Sequence, residues 1–524
     1  MPIIETTITD FGGGMTNLIR SSDNSKSRVI THFDALSDPN RLVPHLSHTN
    51  DSFATGSASV NKLSNFLTYG ATNSATAQYA MGVNSGTNNI RIYKRDSLPS
   101  AQFTGQSSST KAFSEKVFIE YKGNIYFGID NVNAAFTSIT HIAQYSVSGN
   151  SYDITFKALT ATDVIRALVH SKNDILFILY YTTAGTFVAK YDNATWTNIA
   201  LTLPTNELPV DMCELGDLLV IATKPLSLGG KSHVYLWDMN ATSWNEKIDW
   251  GSEDIQLIEQ ADGELIGMSI TGATSIVVNP KIIFKRRIGP GKAKQFQELQ
   301  TSNISIFVGN NKQYMNNRIY FQMLCEINSV VYAGIWTIGK NKLDQFVVSL
   351  DRLWDSTTTF TASDTPLAFQ LLGDYMTIAY TVATTYTIKR TNDSSTHNDT
   401  SIYETIIFGN GISIGGQIIR DPSQKKDLVG VTIMTEPIQS AQTYTLKYKK
   451  DSDASFTTLL THTTTNAMST SVVSMQTSPN VFPKDYKEIQ FQITHSATGV
   501  ILAKNIAALT GLSFREEITD KRPY

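Results

Sequence analysis

A two-strand unit recurs along most of the chain, and it restricts the possible folds severely. A short apolar strand enters a turn built from Gly or Asn and an acidic or amide residue, and a second apolar strand leaves it. The unit reads KVFIEYKGNIYFGI from Lys116, VIRALVHSKNDILFIL from Val164, PVDMCELGDLLVIAT from Pro209, DIQLIEQADGELIGMS from Asp254 and PLAFQLLGDYMTIAY from Pro366. YMNNRIYFQMLCEI from Tyr314 fits with a looser turn at Asn316-Asn317. The pairs Gly123-Asn124, Asn173-Asp174, Gly216-Asp217 and Gly373-Asp374 tolerate the positive φ of tight hairpins. A third strand often follows and ends near an aromatic residue, as in FVAKYDNATWTN and HVYLWDMNATSWNEK.

The units recur at roughly 43 to 57 residues, the period of four-stranded propeller blades. A four-stranded sheet has apolar faces and unpaired edges, and radial packing covers the faces and shortens the edges. With residues 65 to 96 taken as part of the first unit, the spacing predicts six or seven blades between about Phe33 and Thr400. An array of β-sandwiches is the alternative, disfavoured because the unit has four strands and no long crossover. Trp196 and Trp244 are expected to be mostly buried between blades near the outer strand.

Near residue 400 the pattern changes to strict alternation. Tyr444, Leu446 and Tyr448 share one face of a strand, and so do Ile489, Phe491 and Ile493. That period belongs to half-buried antiparallel strands, so a β-sandwich is expected over 401–515, with a tail at 516–524. The expected fold is therefore all-β: an extended N-terminal arm over 1–30, a six- or seven-bladed β-propeller over 31–400, then the antiparallel sandwich. Gly12, Gly13 and Gly14 look too flexible for an interior element. The arm's apolar residues Ile3, Ile4, Ile8 and Phe11, together with Arg20, are expected to anchor it on neighbouring proteins. The rival expectation is that PIIETTITDF closes the chain's own last blade.

Composition narrows function by exclusion. Of 524 residues, 41% are hydrophobic and only 17% charged, with a net charge of -3. Such a balance creates no field for nucleic acid or an acidic membrane. The longest apolar run, ILFILYY, is too short to cross a bilayer, and the N-terminus shows no signal-peptide pattern. The two cysteines, Cys213 and Cys325, lie inside apolar strands and are expected to be buried free thiols.

No motif carries recognisable chemistry. Asp174, Asp217, Glu264 and Asp374 fall at turn positions, where turn chemistry accounts for them. YDNATWTN approaches the Asp-box of sialidases, but its Asp-to-Trp spacing is one residue short and Ala194 replaces the Gly. His45 and His48 in PHLSH have no further ligands nearby. No enzymatic activity, metal or cofactor is expected. The one basic cluster, KIIFKRRIGPGKAKQF, contains Lys285, Arg286 and Arg287 and is a candidate contact with an acidic neighbouring subunit.

Two segments carry a resemblance. ITDFGGGMTNLIRSSDNSKSRVITHFDALSDPNRLVPH has a Gly-rich arm, the step Asn17 to Arg20, Phe33-Asp34, and Pro39 to Pro44. YETIIFGNG is followed by TLKYKKDSDASFTTL, with Phe456 where Trp is common. Both resemble propeller-type structural proteins of tailed bacteriophages. The resemblance implies a non-enzymatic virion component of the tail or neck, present in several copies or as a ring and held by other phage virion proteins. A host-facing recognition module binding cell-surface glycan is the alternative.

Overall fold

A computed structural model describes residues 3–519 apart from 17–23, 46–47, 52–59, 64–66, 70–76, 85–89, 96–103, 110–111, 131–140, 160–162, 228, 272–279, 302–305, 328–329, 354–364, 373–374, 383–384, 392–399, 410–411, 415–416, 420–423, 439–441, 464–468, 475–481 and 498–505. The described residues form strands, turns and loops without a helix, so none is long and apolar enough to cross a membrane. The chain divides into two compact units. One comprises residues 49–333 and 359–391, the other 1–48, 334–358 and 392–524.

The larger unit is built from the hairpin repeat. Antiparallel four-stranded meanders run through Ala112–Tyr121 to Ser151–Ala158, Asp163–His170 to Trp196–Thr202, Glu207–Leu215 to Glu246–Gly251, and Asp254–Ala261 to Lys292–Gln300. The turns have the expected chemistry, with shifts of one residue in places. Tyr121 pairs with Asn124, so Lys122 and Gly123 occupy the tight turn, at φ 51° and 79°. Asn316 and Asn317 both take positive φ between Met315 and Arg318. The turn expected at Gly373-Asp374 lies outside the described residues.

The first strands of successive meanders pack side by side, from Ala112–Tyr121 through Asp163–His170, Glu207–Leu215 and Asp254–Ala261 to Ile306–Met315 and Thr365–Leu372. These strands surround an axis, which makes the arrangement a β-propeller. Radial stacking explains why ILFILYY has no polar alternation. Leu176, Ile178 and Tyr180 face the preceding sheet, beside Tyr126 and Ile142. Phe177 and Leu179 face the next, beside Met212, Ile221 and Trp237. A strand buried on both faces reads as a continuous apolar run.

The ring closes through residues far apart in sequence. Ala80 and Tyr93 of the earliest meander pack on Leu367, Ala368, Ala379 and Ile388 of the latest. The sheet of Thr365–Leu372, Tyr375–Val382 and Thr385–Thr391 takes its fourth strand from His48–Asp51. The latest sheet is thus completed by an early strand, but not by PIIETTITDF.

In the smaller unit Ile3–Ile8 instead pairs antiparallel with Leu509–Ile518, Ile3 opposite Glu517 and Ile8 opposite Leu512. Lys426–Thr435 flanks the other side of Leu509–Ile518. Ser27–Thr31 pairs with Ser401–Thr405, which continues through Glu488–Ala497 to Gln442–Lys450. Phe491 and Phe514 join the two sheets with ring centroids 4.8 Å apart. The expectation that neighbouring proteins order this part of the arm is therefore corrected: Ile3–Ile8 pairs with the chain's own strand Leu509–Ile518. The three glycines serve close approach. A Cβ on Gly13 would lie 2.4 Å from Ser25 Oγ, and Gly14, at φ +73°, would meet Val347 Cβ at 2.7 Å. Phe11 is fully buried with its ring on Tyr403.

His462 in this unit is buried, and burial lowers its pKa. Below the ordinary imidazole pKa of about 6.5 the unfolded chain takes up a proton that the folded chain resists, so this residue's contribution to stability is lost as pH falls. Thermal melting between pH 7 and pH 5 should show His462→Asn losing less stability on acidification than the parent. Equal losses would remove His462 as a source of acid sensitivity.

Candidate functional site

The described structure presents a cavity of about 430 Å³ lined by the innermost strands of the propeller. Phe118 and Ile119, Arg166 to Val169, Met212 to Glu214, Glu259 and Gln260, then Asn311, Lys312 and Tyr314 come from five successive inner strands. Convergence on the propeller axis is what brings these stretches, distant in sequence, to one place.

Irregular pairing aims the charged groups. The antiparallel register slips between Val164 and Arg166, between Pro209 and Asp211, and between Val308 and Lys312. A similar slip lies between Ile255 and Leu257, just before Glu259. A bulge adds a residue to one strand and redirects the side chain that follows it. Here it aims Arg166 and Lys312 at a common partner, Asp211.

Asp211 is fully buried and is the hub. Its Oδ1 accepts the Met212 N–H at 2.9 Å and lies 2.9 Å from Arg166 Nε. Its Oδ2 accepts the Ile258 N–H at 3.0 Å and Lys312 Nζ at 2.7 Å. Lys312 also donates to the carbonyls of Met212, at 2.7 Å, and Ile258, and lies 3.3 Å from Glu259 Oε2. The Gln260 N–H donates to Glu259 Oε1 at 2.9 Å.

Burial pushes the Glu259 carboxyl up from its usual value, and Lys312 only partly offsets it. Burial works against the Lys312 ammonium, but Asp211 and Glu259 outweigh it and hold its pKa above the ordinary value. Burial also raises the neighbouring Cys213 thiol well above its usual value, with Glu259 adding to the effect. Cys213 and Cys325 are buried and free, as expected. A thiol so held is a poor nucleophile.

The candidate interface residues do not gather here. Lys285 is buried, donating to the Trp250 carbonyl and to Glu253, each at 2.6 Å. Arg286 pairs with Glu264 at 3.2 Å and Arg287 with Glu246 at 2.6 Å. These three cations are thus matched by acids of their own unit: Glu264 and Glu246 lie on the strands beside the hairpin Lys281–Gly289 and Lys292–Gln300, and Glu253 in the bend before Asp254–Ala261. Ile8 and Phe11 are buried, Ile4 is half-buried and Ile3 is 62% exposed. Arg20 lies outside the described residues.

Other expected residues divide similarly. Asp174 pairs with Lys122, and Asp217 with Lys172 at 2.5 Å, both beside hairpin turns. His45 Nε2 lies 2.9 Å from Asp351 Oδ1, and among the described residues no group of three metal-ligating side chains exists. Trp196 and Trp244 are half-buried. Trp196 does fill space between neighbouring sheets, stacking on Tyr191 at 4.6 Å and meeting Phe156 at 6.3 Å. Among the described residues the fully buried tryptophans are Trp237, Trp250 and Trp336.

Sequence reasoning passed over the axial group, although a signal was present. VIRALVH, PVDMCEL and LIEQA each carry a charge inside an apolar strand, and a charge there needs a buried partner. Turn chemistry drew attention to the wrong acids.

No protein-family model matches the chain, and no curated protein does either. Among solved structures it is similar to an exo-β-1,3-galactanase from Phanerochaete chrysosporium, at 10% identity over 91% of this chain and 100% of that one, with a TM-score of 0.30. It is similar to a PL25 ulvan lyase at 11% identity, over 64% of this chain and 94% of that one, with a TM-score of 0.39. It is also similar to the β-propeller domain of the Trilobed protease from Pyrococcus furiosus, at 13% identity over 65% and 99%, with a TM-score of 0.37. Two of these neighbours are carbohydrate-active enzymes, and the expectation that this chain is no enzyme is withdrawn. Likeness at this level transfers no activity to this chain. The convergence of Asp211 and Glu259 independently removes the ground for the exclusion, which was that the acids lie at turns.

Proposed function

We propose that the chain is a structural component of a tailed-bacteriophage virion, in the tail or neck, present in several copies and held by other virion proteins. The observation that carries the reading is where the two resembling segments lie. The N-terminal segment supplies Ser27–Thr31, and the C-terminal one falls on Ser401–Thr405 and Gln442–Lys450, all within one compact unit. Segments at opposite ends of a chain that build one unit form a single module, and the resemblance concerns that module as a whole.

On this reading the unit is an antiparallel β-sandwich, and the propeller inserted into it has seven blades. Seven follows from counting the meander of Val60–Leu63 to Thr104–Ser109, the four regular meanders, the one begun by Ile306–Met315 and the one completed by His48–Asp51. A host-facing recognition role is the second reading, favoured by the polar axial cavity.

The test is location. Particles purified from the host that carries this gene should contain the chain by mass spectrometry, and cryo-electron microscopy should place it in the tail or neck in several symmetric copies. Absence from purified particles would overturn the proposal.

A further inference from the structure

We propose that the axial cavity is a binding site for a neutral saccharide, of about one or two sugar rings. The volume, about 430 Å³, lies toward the small end of the roughly 300–1,000 Å³ typical of ligand pockets. The inference stands apart from the virion reading and deepens the recognition role.

The chemistry of the walls selects the ligand. Asp211 already accepts two backbone N–H groups and faces two cations, so it has nothing left to offer. Lys312 is spent on two carbonyls and two carboxylates. It stands where a metal ion bridging Asp211 and Glu259 would have to sit. Glu259 and Glu214 differ. Glu259 takes one N–H on Oε1 and one ammonium on Oε2. Glu214 takes the Ser171 N–H on Oε1 and the Ser171 hydroxyl on Oε2, each at 2.6 Å. A carboxylate oxygen has two lone pairs, so each of these oxygens can accept once more. The capacity remaining on these two cavity-lining carboxylates is therefore acceptor capacity, and it calls for a ligand rich in hydroxyl donors.

Three further features agree. Gln260 and Asn311 add amide groups that can both donate and accept. Ala167, Leu168, Val169 and Met212 give an apolar wall, and the ring of Tyr314, 36% exposed, lines the same cavity. A sugar ring presents C–H faces and a hydroxyl rim, which match an aromatic and aliphatic wall opposite carboxylates and amides. The cations in the wall are already matched by carboxylates, so the ligand need bring no charge.

Saturation-transfer NMR on the full chain would test this with glucose, galactose, N-acetylglucosamine and rhamnose, their disaccharides, and spermidine as a cationic probe. At least one neutral sugar should bind with Kd below about 10 mM. Tyr314→Ala and Gln260→Ala should each weaken that binding about tenfold while melting like the parent. Tyr314 is exposed and Gln260 half-buried, so neither substitution opens a core cavity. Binding by spermidine alone, no binding by any sugar, or an affinity unchanged in both variants would overturn the proposal. These outcomes are independent of whether the chain is found in virions.

Discussion

Asp211→Ala is expected to destabilise the propeller by roughly 3 to 5 kcal/mol, the cost of breaking a buried ion pair from one side. The carboxylate is fully buried and gathers Arg166, Lys312 and the Ile258 N–H from other inner strands and the Met212 N–H of its own. Removing it leaves Lys312, whose side chain is 9% exposed, with Glu259 as its remaining carboxylate. It also strips two N–H groups of their acceptor, and an unsatisfied buried donor costs about 1 to 3 kcal/mol.

Urea denaturation followed by tryptophan fluorescence would measure the effect. Asp217→Ala is the control, because that turn carboxylate is 69% exposed and its pair with Lys172 contributes little. The two changes separate an axial hub from a generic acid. Lys312→Met made in the Asp211→Ala background should cost less than Lys312→Met alone, because the partners couple. If Asp211→Ala melts like Asp217→Ala, the hub is not a structural element.

Arg95→Leu should be comparably damaging, by roughly 3 to 5 kcal/mol, and should loosen the ring at one place. Arg95 is 1% exposed. It pairs with Asp51 at 2.5 Å and donates to Gln78 and, at 3.0 Å, to Thr377. Gln78 in turn donates to Gln370 at 2.6 Å. Asp51 lies on the closing strand, Thr377 and Gln370 on the sheet that strand completes, and Arg95 and Gln78 on the earliest meander. The network therefore fastens the two sheets at the closure.

Without the guanidinium, Asp51 loses its 2.5 Å partner, and Arg390 stands farther off at 3.9 Å. Hydrogen exchange should accelerate first in His48–Asp51 and Thr385–Thr391, while Ile175–Thr182 on the far meanders stays protected. Uniform acceleration across all meanders would show that closure is not the weak point.

These two networks also mark the limit of what can be read from sequence. The hairpins were legible because their cause is local. A Gly or Asn with positive φ, one or two residues from each strand end, acts whatever the rest of the chain does. Gly216 and Asn316-Asn317 fell where expected, and the Lys122-Gly123 turn was one residue displaced.

The axial site was half legible. Arg166, Asp211 and Glu259 each interrupt an apolar strand, which shows that a partner exists but not which one. Asp211 finds Lys312 at a separation of 101 residues, through a bulge that no composition signals. The basic cluster shows the converse. Lys285, Arg286 and Arg287 look unmatched along the chain, and their acids arrive from Glu264 and Glu246 on neighbouring strands and from Glu253 in the bend before Asp254–Ala261.

The sequence by itself determined the all-β class, the unit of strand, turn and strand, and the buried state of both cysteines. Each depends on contacts within a few residues or on apolar content alone. Only the tertiary structure decided which strand closes the ring, that Ile3–Ile8 joins Leu509–Ile518, and which charges meet on the axis. An unpaired sheet edge accepts many strands at similar backbone cost. The choice among them rests on side-chain burial and charge pairing summed over segments hundreds of residues apart, and that sum exists only once the chain has folded.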